Sequence, residues 1–183
     1  MLRADAWAAA EPGLARRRRI SKRVRTPEDD ARYLEFNAFH LVACGVAHRD
    51  LSPEEQLASL RPAARTWRVT SVPDADVLNG GFWQLFGNST GDVAALSIPA
   101  FVEIGAPERA ELFTRAATTL FDTTNVPPQA ERLVRLEALA REGLHGVTIR
   151  ALDDAYVALY RAQKLEELLL PYARARESDF FLD

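Results

Sequence analysis

Three histidines and the single cysteine are the residues of this sequence best suited to metal chemistry. His40, Cys44 and His48 recur at every fourth position, so on a helix their side chains would share one face. A structural zinc site needs four ligands in a closed geometry, and the fourth candidate, His145, lies in a remote glycine-flanked connection. The same spacing is typical of a thiol and imidazoles that pack beside a core helix. We therefore predict no metal site.

Residue types that catalyse group transfer are present, but they are not arranged in a recognisable site. Nothing near Cys44 supplies an activating group or an oxyanion site, and no serine lies in a nucleophile elbow. Gly80 and Gly81 lack the lysine and the preceding strand of a phosphate-binding loop. We predict no catalytic residues. The alternative hypothesis is a hydrolase-like enzyme with a pocket under the Gly80–Gly81 turn and His40 or His145 as its base.

The most specific segment spans residues 79–92 and reads Asn-Gly-Gly-Phe-Trp-Gln-Leu-Phe-Gly-Asn-Ser-Thr-Gly-Asp. Its paired glycines permit a turn with positive φ, where another helix packs closely or the open amides bind an anion. Phe82, Leu85 and Phe86 follow the i, i+3 and i+4 spacing of one helix face, whereas Trp83 points elsewhere. This spacing predicts that the three apolar residues pack in the core.

The elements that would position this segment are predicted to be helices throughout residues 27–183. Ser52 and Glu55 have the spacing of a capping box. Pro62 is expected to split the helix that begins after Ser52, and Pro99 is expected to interrupt a later helix. No region shows the alternation of a strand, so the predicted fold class is all-α, a compact multi-helix single domain.

Further local signals refine these helices. In the first helix, the spacing of Leu34 and Leu41 defines an apolar face that neighbouring phenylalanines widen, and we expect the helix to be largely buried. Asn79 and Asp92 are expected to cap helices. A brief extended piece is expected at residues 147–149.

Composition and charge describe a globular chain with a distinct amino-terminal segment. The 183 residues are 48% hydrophobic, include one cysteine and contain no apolar run long enough to span a membrane, which together predict a cytoplasmic protein. Residues 1–26 include eight basic and two acidic residues, whereas the remainder includes 15 basic and 24 acidic residues. We predict a disordered basic tail at residues 1–26, followed by an acidic helical domain.

Residues 79–88 are similar to the signature of a bacterial domain-of-unknown-function family. The family is named as the C-terminal domain of a DNA-mimic protein. Asn-Gly-Gly-Phe, Gln84, Phe86 and Asn88 establish the resemblance, which extends more loosely over about residues 50–182. The resemblance implies an all-helical domain that acts through protein–protein contact, without a known cofactor or established catalytic residues. The family name implies carboxylates in place of DNA phosphates, which present about one charge per 1.7 Å of duplex.

The resulting functional prediction is a non-enzymatic module that binds a protein partner and needs no cofactor. A transcription regulator and a toxin are the two partner classes, and the second would make the chain an immunity-type protein. Direct nucleic-acid binding is a further hypothesis that rests on the Arg16–Arg19 run of the tail. The predicted partner-binding residues are Asn79, Gly80, Gly81, Trp83, Gln84, Asn88, Asp74, Asp76 and Asp92.

Overall fold

The computed structural model describes residues 27–44, 52–143 and 147–181. Throughout these ranges the regular structure is helical, so the predicted all-α class is confirmed. The α-helices are α1 (Pro27–Cys44), α2 (Pro53–Ser59), α3 (Pro62–Gly87), α4 (Ala94–Glu103), α5 (Pro107–Phe121), α6 (Gln129–Arg141), α7 (Thr148–Ala162) and α8 (Glu166–Arg174). Short 3-10 helices lie at Ser89–Val93 and Glu177–Asp179.

Two units of unequal size divide the chain. The first is residues 1–34, of which residues 27–34 form the beginning of α1, and the second is residues 35–183. The core and the candidate site belong to the second unit. The predicted tail of residues 1–26, with its arginine run, lies outside the described residues. None of the described helices is both long and apolar enough to cross a membrane.

Capping residues and prolines determine where the early helices begin. Ser52 Oγ accepts from the Glu55 N–H at 3.2 Å, and the Ser52 N–H donates to Glu55 Oε2 at 2.8 Å, which confirms the predicted capping box. α2 ends at Ser59 and α3 begins at Pro62, so the predicted split is also confirmed. A proline fits the first helical turn because its missing N–H would have no partner there.

The interruption predicted at Pro99 is wrong, because this proline lies inside α4. A proline within a helix costs about 3 kcal/mol. On either side of it, Ser97 and Phe101 are fully buried, and Ser97 Oγ donates to the Val69 carbonyl of α3 at 2.6 Å. Tertiary packing therefore maintains the helix at a position where local propensity opposes it.

The buried face of α1 differs from the predicted one. Leu34 is 67% exposed and Leu41 is 41% exposed, whereas Phe39 and Ala43 are buried. Aromatic rings bury more area than leucine, so Phe36 and Phe39 determine which face of the helix turns inward. The expectation that α1 is largely buried is therefore wrong.

The extended piece predicted at residues 147–149 is replaced by the start of α7. Ile149, Leu152 and Tyr156 are buried at the spacing of one helix face. Three β-branched residues in succession favoured a strand locally, but burial of this apolar face outweighs that preference.

Aromatic rings between α3, α5 and α7 form the centre of the core. The Phe82 ring meets the Phe113 ring edge to face at 5.3 Å and the Tyr156 ring at 5.6 Å. Phe82, Leu85 and Phe86 are all fully buried, which confirms the predicted core face. The segment that is most specific in sequence thus also lies at the middle of the fold.

The second 3-10 helix caps the beginning of α3 from a distant part of the chain. Asp179 Oδ2 accepts from the Ala63 N–H at 2.9 Å. The next residue, Phe180, packs edge to face against Trp67 with ring centroids 5.7 Å apart. A carboxylate at a helix N-terminus satisfies a free donor and opposes the positive end of the helix dipole.

We expect Asp179→Ala to lower the free energy of unfolding by about 1–2 kcal/mol, because α3 loses this cap. Glu177→Ala is the matched control, since it removes an exposed carboxylate from the same 3-10 helix and is expected to change stability by less than about 0.5 kcal/mol. Urea unfolding followed by circular dichroism measures both. Equal effects of the two substitutions would contradict the capping role.

Candidate partner-binding surface

The paired glycines kink α3 near its C-terminal end. Gly81 adopts φ 74° and ψ −177°, a region of backbone conformation that is essentially restricted to glycine. Gly80 also leaves the helical region, with φ −160° and ψ 23°. The predicted positive-φ turn is therefore confirmed at Gly81, and residues 82–87 form a last helical segment beyond it.

A carboxylate from α7 occupies the concave side of this turn. The Phe82 N–H donates to Asp153 Oδ1 at 2.8 Å. A Cβ atom at position 81 would lie 2.5 Å from Asp153 Oδ2, so only glycine leaves room for the carboxylate. The anion that the open amides could bind is thus supplied by the chain itself, and Asp153 takes the capping position that was predicted for Asn79.

This internal anion lies where the hydrolase-like alternative places its pocket. Gly81 and Phe82 are buried, and the Asp153 carboxylate fills the space beneath the turn. His40, one proposed base, instead accepts from Trp67 Nε1 at 3.5 Å. Trp67 precedes Gly81 by 14 residues, or about 21 Å along a straight helix, so this histidine and the turn do not form one site. The other proposed base, at position 145, lies outside the described residues.

The remaining metal and thiol candidates also gain no support from the described residues. Burial raises the pKa of the Cys44 thiol to about 11, which disfavours the reactive thiolate. His48 lies outside the described residues, as does the histidine at position 145. Within residues 27–44, 52–143 and 147–181, no three or more histidine, cysteine or acidic side chains are grouped to hold a metal ion.

A second polar contact joins α3 and α7 about two helical turns before the kink. Tyr156 Oη donates to Asp74 Oδ1 at 2.6 Å, and Arg109 Nε of α5 lies 3.5 Å from the same oxygen. Arg109 Nη2 donates to the Gln163 carbonyl at 2.5 Å. Asp74 is 6% exposed, which contradicts the expectation that it lies on the partner-binding surface. Its carboxylate instead belongs to the interior network.

Burial shifts the pKa values of Asp74 and Tyr156. Burial raises the pKa of Asp74, and the Tyr156 hydroxyl and the Arg109 guanidinium partly offset that shift. Burial, together with the neighbouring carboxylate, raises the pKa of Tyr156 well above its ordinary value, so the hydroxyl stays protonated and donates. Because folding raises the pKa of Asp74, its contribution to stability is full below the unfolded pKa and is lost as the pH rises through the folded pKa.

Arg132 fixes the turn that follows the kinked helix. Its guanidinium is fully buried and donates to the Phe86 carbonyl at 2.8 Å, the Asn88 carbonyl at 2.8 Å and Asp92 Oδ1 at 2.6 Å. Gly91 lies against the same guanidinium, since a Cβ atom there would be 2.9 Å from it. The Asp92 carboxylate therefore binds Arg132 and does not cap α4, which has no side-chain cap.

Seven of the nine predicted residues reach the surface, and we call them the kink surface. Four are exposed and three are half-buried; the other two predicted residues, Asp74 and Gly81, are buried. The kink surface consists of Asp76, Asn79, Gly80, Trp83, Gln84, Asn88 and Asp92.

The kink brings the two ends of this surface together. In a straight helix, residues 76 and 88 would be about 18 Å apart along the axis. In the folded chain, Asn88 Nδ2 lies 3.4 Å from Asp76 Oδ2. Residues on both sides of the glycines thus form one continuous polar surface, which a straight α3 would separate.

Asp153, Arg132, Arg109 and Tyr156 are the positioning residues that the sequence analysis did not single out as a group. The first of them, Arg109, follows Gly81 by 28 positions and the last, Tyr156, by 75, and no local spacing relates them to the motif. The sequence offered one signal, the adjacent acidic residues Asp153 and Asp154.

We expect Gly81→Ala to lower the free energy of unfolding by about 2–4 kcal/mol, because it adds backbone strain and displaces the Asp153 carboxylate. Gly87→Ala is the matched control: a Cβ atom there meets nothing within 4 Å, and its φ is not positive. It should raise stability slightly or leave it unchanged. Chemical unfolding measures both, and a similar small effect at the two positions would contradict the role given to Asp153.

We expect Tyr156→Phe to lower the free energy of unfolding by about 1–3 kcal/mol, because the buried Asp74 carboxylate loses a donor while the ring packing is kept. Tyr160→Phe, four residues later in α7, should change stability by less than about 0.5 kcal/mol, since among the described residues that hydroxyl makes no hydrogen bond. Thermal unfolding of both variants at neutral pH provides the comparison. A loss confined to Tyr160→Phe would refute the assignment.

Comparison with known proteins identifies a family that this chain matches. A family model described as DMP19-like protein matches residues 58–176, which is more than half of the chain and includes the kink surface, Arg132 and Asp153. The searches of curated proteins and of solved structures found no significant match. On the strength of the family match, this chain belongs to the DMP19-like protein family.

Proposed function

We propose that this protein binds a DNA-binding protein through the kink surface and presents carboxylates there in place of DNA phosphates. The DMP19-like family is a DNA-mimic family and is not a known enzyme family, which supports a protein partner. The observation that favours the kink surface is its charge. Every charged residue from position 69 to position 108 is acidic, and α3 contributes residues 69–87 of this stretch.

In the ion pair between Arg132 and Asp92, the arginine is buried and only the carboxylate reaches the surface. Arg109 and Arg132, which contact Asp74 and Asp92 respectively, are at most 1% exposed. Their positive charges face interior carbonyl groups and the inner side of carboxylates, whereas 45% of the Asp92 side chain remains exposed. A sequence in which acids and bases alternate can thus present mainly acids at one face, which is the condition that a DNA mimic must meet.

The arrangement of polar groups also suits a partner that reads a phosphate backbone. Asp76 and Asp92 are both linked to Asn88: Asp76 contacts the Asn88 amide, and Arg132 binds both the Asn88 carbonyl and Asp92. Proteins contact phosphates mainly with arginine and lysine, and with amide and hydroxyl donors. Carboxylates and an exposed amide on one rigid turn offer acceptors to the same groups.

Trp83 is the proposed apolar anchor of the interface. It is half-buried and packs against the core, which holds the ring in place beside the polar residues of the kink surface. Tryptophan is enriched among the residues that contribute most to protein–protein affinity. A fixed aromatic group beside carboxylates distinguishes a protein-binding surface from a merely soluble acidic one.

A toxin-neutralising, immunity-type role is the second candidate, because it would use the same surface on a different class of partner. The two roles differ in one measurable respect: only a partner engaged through its DNA-binding face must be released by duplex DNA. The nucleic-acid hypothesis based on Arg16–Arg19 concerns residues outside the described ranges and receives no support from the geometry.

We expect affinity capture from the native cell extract to retain a DNA-binding protein that duplex DNA and raised salt both release. Competition by duplex follows from a shared binding face, and salt sensitivity follows from charge pairing. Asp76→Lys should weaken capture by about tenfold or more, equivalent to about 1.4 kcal/mol. Capture is quantified by mass spectrometry of proteins eluted with duplex.

Glu142→Lys is the matched control, because it makes the same charge reversal at the exposed C-terminal end of α6, about 15 Å along that helix from Arg132. It should retain the partner normally. Trp83→Ala tests the anchor, with thermal unfolding to show that the variant is folded. A captured protein that resists duplex competition would refute mimicry in favour of the immunity-type role. Equal capture by Asp76→Lys and Glu142→Lys would refute the kink surface itself.

A further inference from the structure

Residues 35–44 of α1 lie in a groove at the opposite end of α3 from the kink. The Phe36 ring lies 5.0 Å from the Trp67 ring, and the Phe39 ring lies 5.7 Å from it. Phe39 also meets Phe180 edge to face at 4.9 Å and Phe181 at 5.3 Å. The groove therefore has an indole at its base and phenyl rings along one side.

The contacts of α1 follow the pattern of a helix bound in a groove. Phe36, Phe39 and Ala43 face inward at positions i, i+3 and i+7, which is the spacing of anchors in helix-in-groove recognition. At the rim, Arg174 donates two hydrogen bonds of 2.5 Å to the two carboxylate oxygens of Glu35. A bidentate arginine–carboxylate pair fixes direction and register as well as supplying affinity.

The family model matches most of the groove but not the helix that occupies it. Trp67 and Arg174, which form the base and the rim, lie within the matched residues 58–176, whereas α1 and Phe180 lie outside them. Trp67 is fully buried, and the rings of Phe36 and Phe180 that pack against it lie outside the matched residues. Residues 35–44 of α1 thus cover a groove that is formed mainly by the matched part of the chain.

We propose that this groove is a helix-binding site, occupied in cis by residues 35–44, and that it accepts in their place a partner helix with the same pattern. The pattern is an acidic residue, an aromatic residue directly after it and a second aromatic residue three positions later. The acid would pair with Arg174, and the two rings would pack against Trp67 and Phe180. The site is distinct from the kink surface, because Trp67 and Asn79 are about 18 Å apart along α3.

Because residues 35–44 already occupy the groove, a partner helix must exceed a certain concentration before it can displace them. A segment tethered by a few residues has an effective concentration of about 1 mM, so a free helix of equal intrinsic affinity competes poorly until it reaches a similar concentration. Weakening the hold of α1 should therefore increase the apparent affinity for a free helix. This increase is the measurable signature of the proposal.

The test uses a fluorescently labelled peptide of residues 27–44 and the full chain. In anisotropy titrations, the peptide should bind the Phe36→Ser/Phe39→Ser chain at least about tenfold more tightly than the wild-type chain, because the variant's own α1 no longer competes. Glu35→Arg provides a second host that keeps all the aromatic side chains, and it should also bind the peptide more tightly than wild type. Circular dichroism verifies that each host retains its helical content.

Charge exchange at the rim identifies the groove as the place of binding. Adding Arg174→Glu to the Phe36→Ser/Phe39→Ser chain should weaken peptide binding by about tenfold, and a peptide with Glu35→Arg should restore it. Arg161→Glu, an exposed arginine of α7, is the matched control and should leave binding unchanged. Peptide binding that is equal for the wild-type chain and both hosts, or a charge-exchanged peptide that restores nothing, would overturn the proposal. Neither result depends on the kink surface or its partner.

Discussion

The contact between the Asp153 carboxylate and the Phe82 amide, beneath Gly81, is the constraint on which the arrangement of the site depends. It provides an acceptor for a backbone donor that the kink frees from the helix, and it ties α3 to α7. The direction of residues 82–87 follows from this kink. So does the meeting of Asp76 with Asn88, which a straight helix would prevent.

Buried polar groups give this small helical domain its specificity of packing. Asp74 with Tyr156 joins the same two helices as Asp153 does, but with donor and acceptor exchanged between them. Arg132 contributes in another way, since one fully buried guanidinium satisfies carbonyl groups at the end of α3 and a carboxylate of the following turn. These satisfied groups define one geometry, because each would be left unpaired in any other arrangement.

The two ends of α3 differ in their surroundings. We propose that its C-terminal end presents carboxylates, amides and Trp83 to a DNA-binding protein, whereas its N-terminal end packs against residues 35–44 of the chain itself. The first role depends on charge at the surface, and the second depends on apolar area and one ion pair between Glu35 and Arg174. A single long helix can serve both because the kink confines the acidic surface to one end of it.

Local spacing sufficed for the helical class, the capping box at Ser52, the split at Pro62 and the inward face of Phe82, because each depends on residues within a few positions of one another. It failed where distant contacts outweigh local preference: Pro99 remains helical, and Phe36 and Phe39 orient α1. The sequence also located the kink, but it gave no sign that Asp153 would fill it or that Asp74 would be buried. Those outcomes depend on how α3, α5 and α7 pack, and no pattern along one helix encodes which carboxylate from another will meet it.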